Sequence, residues 1–432
     1  MTAASTIPFR PARPERVPRP LPAWRQFFGE LKRNPLMGWP ELAFEQLYWY
    51  RPFLTLRYHL VSDPEAIGRV FLDNAANYGK PGLIRRMLAP LVGESLLLAE
   101  GDDWKDQRRL MAPVFTPHAV AEFMPIFLSV AGASADRWTR TADGRIDGAS
   151  EATRATFEVI GEALFSGEPA LASDEASEHI HAILAGIGEY RIGSLLGLPW
   201  LDRSAIARRG DVGRRYLIDR LANFIRARQE NPAPPADFMT RVLTAFAERH
   251  PPEAAAKLAL DNAVTFFVAG HETTANALAW SLYLLSQDQT VQDKAAAEAH
   301  EAFAAGGAPE EILGRLTYVK MVLEEAMRLY PPVHRIEREA LADDILGGHR
   351  VRKGDMIAVW PWVVHRHARL WAEPDAFDPE NFSAGAKAAR HRFQYLPFGA
   401  GPRICIGMSF ALAEGALILA AWLDRFRFRP DP

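Results

Sequence analysis

The only cysteine among 432 residues, Cys405, lies in the run Phe398-Gly-Ala-Gly-Pro-Arg-Ile-Cys-Ile-Gly407. Glycines flank it at 399, 401 and 407, and an apolar helical run, Met408 to Leu423, follows at once. A helix start offers unpaired N–H groups and the positive end of the helix dipole, which favours thiolate over thiol. Gly401 admits backbone angles closed to other residues, and Gly407 puts no side chain in the way of a flat ligand. These residue types suit a lone sulfur donor to a metal that brings its other ligands with it. The competing reading of a single cysteine is a small, inert, buried hydrophobe.

Two other stretches carry polar groups in telling places. Leu258 to Leu285 reads as a long apolar helix interrupted by Ala269-Gly270-His-Glu272-Thr273-Thr274. Ala269 and Gly270 are small enough to let a helix press against a flat group. Threonine hydroxyls in a helix bond back to a carbonyl and bend it, which opens a groove. A helical Thr and Glu facing water is the alternative. Trp104 and Arg108, four apart, share a helical face. Both offer only donors, as a carboxylate requires; alone, they read equally as a packed aromatic beside a surface charge.

Haem iron held by a cysteine thiolate meets the first description. Phe398, Gly401, Arg403, Cys405 and Gly407 fall on F-x-x-G-x-R-x-C-x-G, and this resembles the haem-binding loop of the cytochrome P-450 family at every position. Ala269 to Thr274 is similar to the family's [AG]-G-x-[DE]-T-[TS]. Trp104 and Arg108 are similar to its W-x-x-x-R, and Glu325-Ala-Met-Arg328 before Leu-Tyr-Pro-Pro332 to its E-x-x-R. The four motifs stand in the family's order, and the resemblance spans about residues 40 to 430. One position departs from it: Asp-Pro-Glu-Asn381-Phe382 has asparagine where the family's P-E-R-F box has an arginine bonded to the E-x-x-R pair.

The resemblance implies a mainly α fold with a smaller β part, haem lying between the oxygen-handling helix and the cysteine-loop helix. It implies haem b with Cys405 as the iron ligand and Trp104, Arg108, Arg338 and Arg403 on the propionates. Phe398, Gly407, Ala269 and Gly270 would lie against the cofactor. Thr273 would steady bound oxygen and Glu272 pass protons inward. Thr265, Phe266, Val268, Val333 and Ile336 would line the substrate pocket, and Glu325 with Arg328 would be structural. The activity so implied is that of a soluble, bacterial-type monooxygenase oxidising an apolar substrate: terpenoid, fatty acid or aromatic. Electrons derived from NAD(P)H would come from an external ferredoxin or flavodoxin and its reductase, with Arg109 among the basic contacts. A peroxide-driven hydroxylase, which typically lacks the acid–threonine pair, and a non-catalytic haem sensor are the other readings.

Composition agrees with that class. Hydrophobic residues make up 48% and charged residues 24%, as in ordinary globular proteins. The net charge of −3 argues against a general nucleic-acid binder. One cysteine excludes intrachain disulfides and CxxC metal sites and fits a cytoplasmic setting. The sequence shows no run of 18 apolar residues, hence no membrane span, and no signal-peptide core.

Residues 1–40 read as an extended Pro/Arg-rich lead-in, solvated or touching a partner, and 41–432 as one domain. Within it, Trp24 to Leu47 has helical spacing and Phe53 to Val61 alternates like a strand or hairpin. Ser62-Asp63-Pro64-Glu65 starts a helix running to about Asn74. Residues 78–100 are mixed, broken by Gly79, Pro81, Pro90 and Gly93, and 121–230 hold several helices, with Arg208, Arg209, Arg214, Arg215 and Arg220 on a solvated face. Ile345 to Trp360 reads as strand, turn, strand. Arg425-Phe-Arg-Phe-Arg429 alternates like a final strand. Family members usually continue into further strands there, so a longer natural chain is expected.

Overall fold

The computed structural model describes residues 9–22, 25, 34–53, 56–171, 173–188, 204–235 and 237–431. Residues 24 and 26–33 of the expected helix from Trp24 lie outside the described residues; its stretch 34–47 is turns and a short 3-10 stretch, Glu41–Phe44, around Pro35 and Pro40.

The longer helices in chain order are α1 (Gly82–Val92), α2 (Gly101–Met111), α3 (Met124–Trp138), α4 (Gly148–Phe165), α5 (Asp174–Gly188), α6 (Ala205–Glu230), α7 (Phe238–Ala247), α8 (Pro252–Gln287), α9 (Gln289–Ala304), α10 (Thr317–Leu329) and α11 (Met408–Arg425). Their starts follow from local chemistry. Asp147, Ser204, Asp237 and Asp288 each accept from a backbone N–H of the first turn, satisfying donors a helix leaves unpaired. α4 ends at Ser166, left-handed at φ 54°, followed by Gly167. α1 runs through Pro90, two residues before its end, and forgoes there the backbone bond that the missing N–H would make. The run Pro117–Trp138 is apolar and long enough to cross a bilayer, yet half of it is buried in the protein. There Phe127, Val130, Ala131 and Ala135 face the core.

The chain forms two compact units. One holds residues 82–276 and 406–418 and is helical, with α1 to α7, most of α8 and the first part of α11. Phe157 and Phe165 pack on Phe267 of α8 with ring centres 5.7 and 5.2 Å apart. Asn262 of α8 pins the turn after α1: its Oδ1 accepts from Leu96 N at 3.0 Å and its Nδ2 donates to Gln107 at 3.0 Å. The arginines of α6 do lie along a mostly exposed face.

The other unit holds residues 1–81, 277–405 and 419–432 and carries the sheet. Its strands are β1 (Tyr48–Phe53), β2 (Leu56–Val61), β3 (Tyr78–Gly79), β4 (Ile336–Ala340), β5 (Asp344–Leu346), β6 (His349–Val351) and β7 (Met356–Val359). The main sheet runs β1-β2-β7-β4-β3, with β2 and β7 parallel, and β5 pairs β6 as a separate hairpin. Val61, Ile67, Phe71, Ile357, Val359 and Leu396 form its core. The expected helix from Asp63 appears as Pro64–Gly68, capped by Asp63, and continues as a wider π turn over Arg69–Asp73.

Two expectations change here. The described arm of the Pro/Arg lead-in, residues 9–22, is extended and largely exposed, as expected, but it is anchored to the fold at several points. Phe377 N donates to Phe9 O at 2.8 Å, Tyr330 Oη to Ala12 O at 2.6 Å, and Arg16 lies over Phe44 with its carbon 3.8 Å from the ring centre. Asp375 draws Arg16 (3.0 Å), Arg13 (3.2 Å) and the fully buried Arg366 (2.9 Å) together. Arg425–Arg429, in turn, is not a strand: α11 extends to Arg425 and the rest pairs with no sheet among the described residues. A buried glutamine takes the place of a neighbouring strand. Gln292 accepts from Phe428 N at 2.6 Å and donates to Phe428 O at 2.9 Å.

Candidate active site

The residues singled out by chemistry divide between the two units, and each group has its own local logic. In the sheet-bearing unit the cysteine loop turns on two left-handed glycines, Gly399 at φ 74° and Gly401 at φ 68°. Gly401 crosses so close to the π turn that a Cβ there would lie 1.7 Å from the Phe71 carbonyl oxygen. The loop closes through Cys405 N donating to Phe398 O at 2.9 Å. It ends with the Cys405 side chain exposed, between half-buried Ile404 and Ile406 and three residues ahead of α11. The inert buried hydrophobe is thereby excluded.

Around the loop lie other expected residues. Ile336, at the start of β4, has its Cδ1 3.7 Å from where a Gly399 Cβ would stand. Val333 is 44% exposed. Arg338 lies over the Phe71 ring, 5.1 Å from its centre, and donates to Glu337 O at 2.9 Å. Phe398 and Arg403 are half-buried. The π turn beneath the loop is itself anchored by Asp344, which accepts from Arg69, from Asn74 Nδ2 at 3.0 Å and from Tyr78 Oη at 2.7 Å. Burial alone would raise the Asp344 carboxyl, but these donors hold it well below the usual carboxylate range.

In the helical unit, α8 is continuous from 252 to 287, so the expected interruption at Ala269 is absent. Thr273 Oγ1 donates to Ala269 O at 2.9 Å and Thr274 Oγ1 to Gly270 O at 3.4 Å, while the helical ladder persists. Ala269 is exposed directly after a buried run from Asn262 to Val268. At about 100° per residue, 268 and 270 turn about 100° away from 269, whereas 265, 266 and 273 stay within about 60° of it. Packing decides which of these side chains is covered. Phe266 packs edge-on against Phe115 and Phe238 at 5.3 and 5.6 Å, and Val268 is buried. Thr265 spends its hydroxyl on Ser95 Oγ and Asp261 O, both at 2.8 Å. All three side chains are buried. Gly270 faces Ile160 of α4, whose Cδ1 would stand 2.8 Å from a Cβ there. Of the two small residues, Gly270 meets Ile160 and Ala269 is the exposed one.

Glu272 is partly exposed, accepts from Asn276 Nδ2 at 3.3 Å, and has His271 Nε2 3.9 Å away. His271 is buried, donates from Nδ1 to Phe267 O at 3.1 Å, and is held below its ordinary pKa by burial. Trp104 and Arg108 sit half-buried on α2, four residues apart as expected, beside Gln107, which is buried. Arg109 is exposed and bound to Asp106. Gly407 is half-buried, and its carbonyl accepts the Ala411 N–H at 2.9 Å.

The structural pair is complete despite Asn381. Glu325 and Arg328 are fully buried and joined by two bonds of 2.7 Å. Arg328 also donates to the carbonyls of His365, Pro374 and Ala376. Asn381 Nδ2 reaches Glu325 Oε1 at 3.2 Å, so the amide keeps the third arm that an arginine would fill. Two residues escaped the sequence reading. Phe71, whose carbonyl sets the loop's path, carries no local signal. Glu414 does: it is the one charged residue between Arg403 and Asp424.

Comparison with known proteins bears on all of this. The cytochrome P450 family model matches residues 48–432. Cyclooctatin synthase of Streptomyces melanosporofaciens is 31% identical over 87% of this chain and 81% of its own. Cyclooctat-9-en-7-ol 5-monooxygenase of the same organism is 32% identical with the same coverage. Among solved structures, the cytochrome P450DA heme domain superposes with a TM-score of 0.77 at 23% identity, covering 95% of this chain and 90% of that one.

Proposed function

The chain belongs to the cytochrome P450 family and is an oxidoreductase of its monooxygenase kind, and from that premise we propose that Cys405 is the iron ligand of an enzyme that oxidises an apolar alcohol or hydrocarbon. The observation that carries the proposal is the exposed Cys405 side chain at the end of a loop set by Gly399 and Gly401. Family membership implies haem, and the donors present fit it: one exposed sulfur for the iron, and Trp104, Arg108, Arg338 and Arg403 as donors for two propionates. Exposed Ala269 and half-exposed Ile404 are surfaces suited to a flat apolar ring.

Bound haem supplies the activation of dioxygen. The chain's own work is positional and protonic. Thr273 gives its hydrogen to the Ala269 carbonyl and keeps its lone pairs to accept. Glu272, reaching solvent, takes up a proton and passes it toward that face of α8. Ile336 and Val333 present apolar surface to the substrate. The hydroxyl-bearing hydrocarbon in one relative's name favours a largely apolar, oxygen-poor guest over a fatty acid. Electrons come from NAD(P)H through a separate ferredoxin or flavodoxin and its reductase, in the cytoplasm.

The test is spectroscopic. Reduced protein under carbon monoxide should show the red-shifted Soret band of thiolate ligation, and Cys405→Ala should lose it. A mutant that kept the band would remove Cys405 from the iron.

A further inference from the structure

Alternation along a strand puts every second side chain on one face. On β1 that face carries Tyr48 and Tyr50. On β2 it carries Arg57 and His59, since Tyr50 stands opposite His59 and Pro52 opposite Arg57 in the antiparallel register. The β5–β6 hairpin meets the same face: His349 stacks on Tyr48 with ring centres 3.9 Å apart and planes 6° from parallel. Arg350, Arg352 and Asp355 complete the lining of a cleft of about 300 Å³. Sites for small ligands run from about 300 to 1,000 Å³, so the space suits a single small ring.

The floor of the cleft is bonded within itself. His59 and Asp355 are buried. Asp355 accepts from His59 Nε2 at 3.0 Å, from Arg352 N at 2.7 Å and from Arg57 Nε. An ionised carboxylate only accepts, so Nε2 carries a hydrogen. On a neutral ring Nδ1 is then an acceptor, and Tyr48 gives it the hydroxyl hydrogen. Burial lowers the His59 pKa, in agreement with a neutral ring. Arg57 spends another N–H on Lys353 O at 3.1 Å. These bonds hold the floor in place and use up most of its donors.

The rim is open. Tyr50 is 44% exposed, with its ring centre 4.8 Å from that of His59. Arg350 is exposed and shared with Asp343 at 3.3 Å. Arg352 is exposed, and its guanidinium has no ion-pair partner among the described residues. Asp355 is the one carboxylate in the lining and Arg57 offsets it, so the cleft is left positive. An aromatic face beside an uncommitted fork of N–H donors complements a planar ring that carries an oxyanion. We propose that this cleft binds a small aromatic anion, a ring bearing a carboxylate or a phosphate, with Arg352 on the oxyanion and Tyr50 against the ring. The cleft shares no residue with the candidate active site, and the proposal does not rest on the monooxygenase reading.

Calorimetric titration of the haem-loaded protein with benzoate and with phenyl phosphate tells the two anions apart, with cyclohexanecarboxylate and inorganic phosphate as the ring-free controls. At least one aromatic anion should bind, and its control should bind about tenfold more weakly. Arg352→Gln and Tyr50→Ser should each weaken that binding about tenfold, through loss of a charge-assisted bond and of a ring contact. Tyr50→Phe keeps the ring and should bind as wild type does. No binding of either aromatic anion, or binding that both Arg352→Gln and Tyr50→Ser leave unchanged, overturns the site. A control that binds as tightly as its aromatic partner overturns the role of the ring. Should Tyr50→Ser fail to fold, Arg352→Gln decides alone. The carbon monoxide spectra of these variants should match wild type, so failure of the Cys405 reading shows separately.

Discussion

Thr273 and Gly401 show how differently single residues matter in this protein. The Thr273 hydroxyl is held by its bond to Ala269 O on a half-exposed part of α8. Thr273→Ala removes a proton-holding group without leaving a buried group unpaired. Substrate binding and NAD(P)H consumption should survive, with more peroxide released per product; an unchanged yield would take Thr273 out of the reaction. Gly401 acts through the backbone. Gly401→Ala must carry a side chain at φ 68° and drive a Cβ into the Phe71 carbonyl. The left-handed angle alone costs about 1–3 kcal/mol, and relieving the clash adds to it. Thermal unfolding should shift down by at least that amount and haem retention should fall, the loop and the π turn being unable to stay together.

At the scale of elements, the cysteine loop is only as firm as the π turn beneath it, and that turn hangs on Asp344 of β5. The Asp344 carboxyl is depressed in the folded state, and the unfolded carboxylate titrates near 3.9. Its stabilisation is therefore fully present above about pH 4 and is lost as the pH falls through the folded value. Asp344→Asn should be less stable than wild type at neutral pH. The gap should narrow steadily as denaturation curves are repeated below pH 4, since protonated Asp344 and asparagine are near equals. A gap that stayed constant with acid would mean that Asp344 contributes by shape and not by charge. The Asn381 amide works at the same scale, since its bond to Glu325 ties the Pro379–Phe382 turn to α10.

Across the sheet-bearing unit, Asp375 joins the N-terminal arm to the interior. It is the carboxylate partner of Arg366, which is fully buried, and it also binds Arg13 and Arg16 of the arm. Asp375→Ala strands a buried guanidinium, which typically costs about 3–5 kcal/mol. Arg13→Ala, at a partly exposed pair, should cost no more than about 1 kcal/mol. Urea unfolding of the two variants checks the ranking; equal losses would show that the arm, not the buried arginine, is what Asp375 serves.

Family, reaction class and the Cys405 loop were readable in the amino-acid order because their signals are local. Glycines that must adopt left-handed angles, a sulfur at fixed spacing, and a Trp and Arg one helical turn apart carry their geometry within a few residues. The strand Leu56–Val61, inside the alternating run from Phe53, and the cap at Asp63 were legible for the same reason. Tertiary structure decided whatever depends on a neighbour arriving from far along the chain. Helical periodicity turns Gly270 off the Ala269 face but keeps Phe266 within about 60° of it, and only packing shows Phe115 and Phe238 covering Phe266 and Ile160 meeting Gly270. Alternation suggested a strand at 425–429, but the Gln292 side chain already satisfies the Phe428 backbone. A proline-rich arm reads as solvated until Asp375 and Phe44 are found beneath its arginines. A lone glutamate in an apolar helix announces a cost, and only the fold shows Glu414 wholly enclosed, with burial pushing its pKa up.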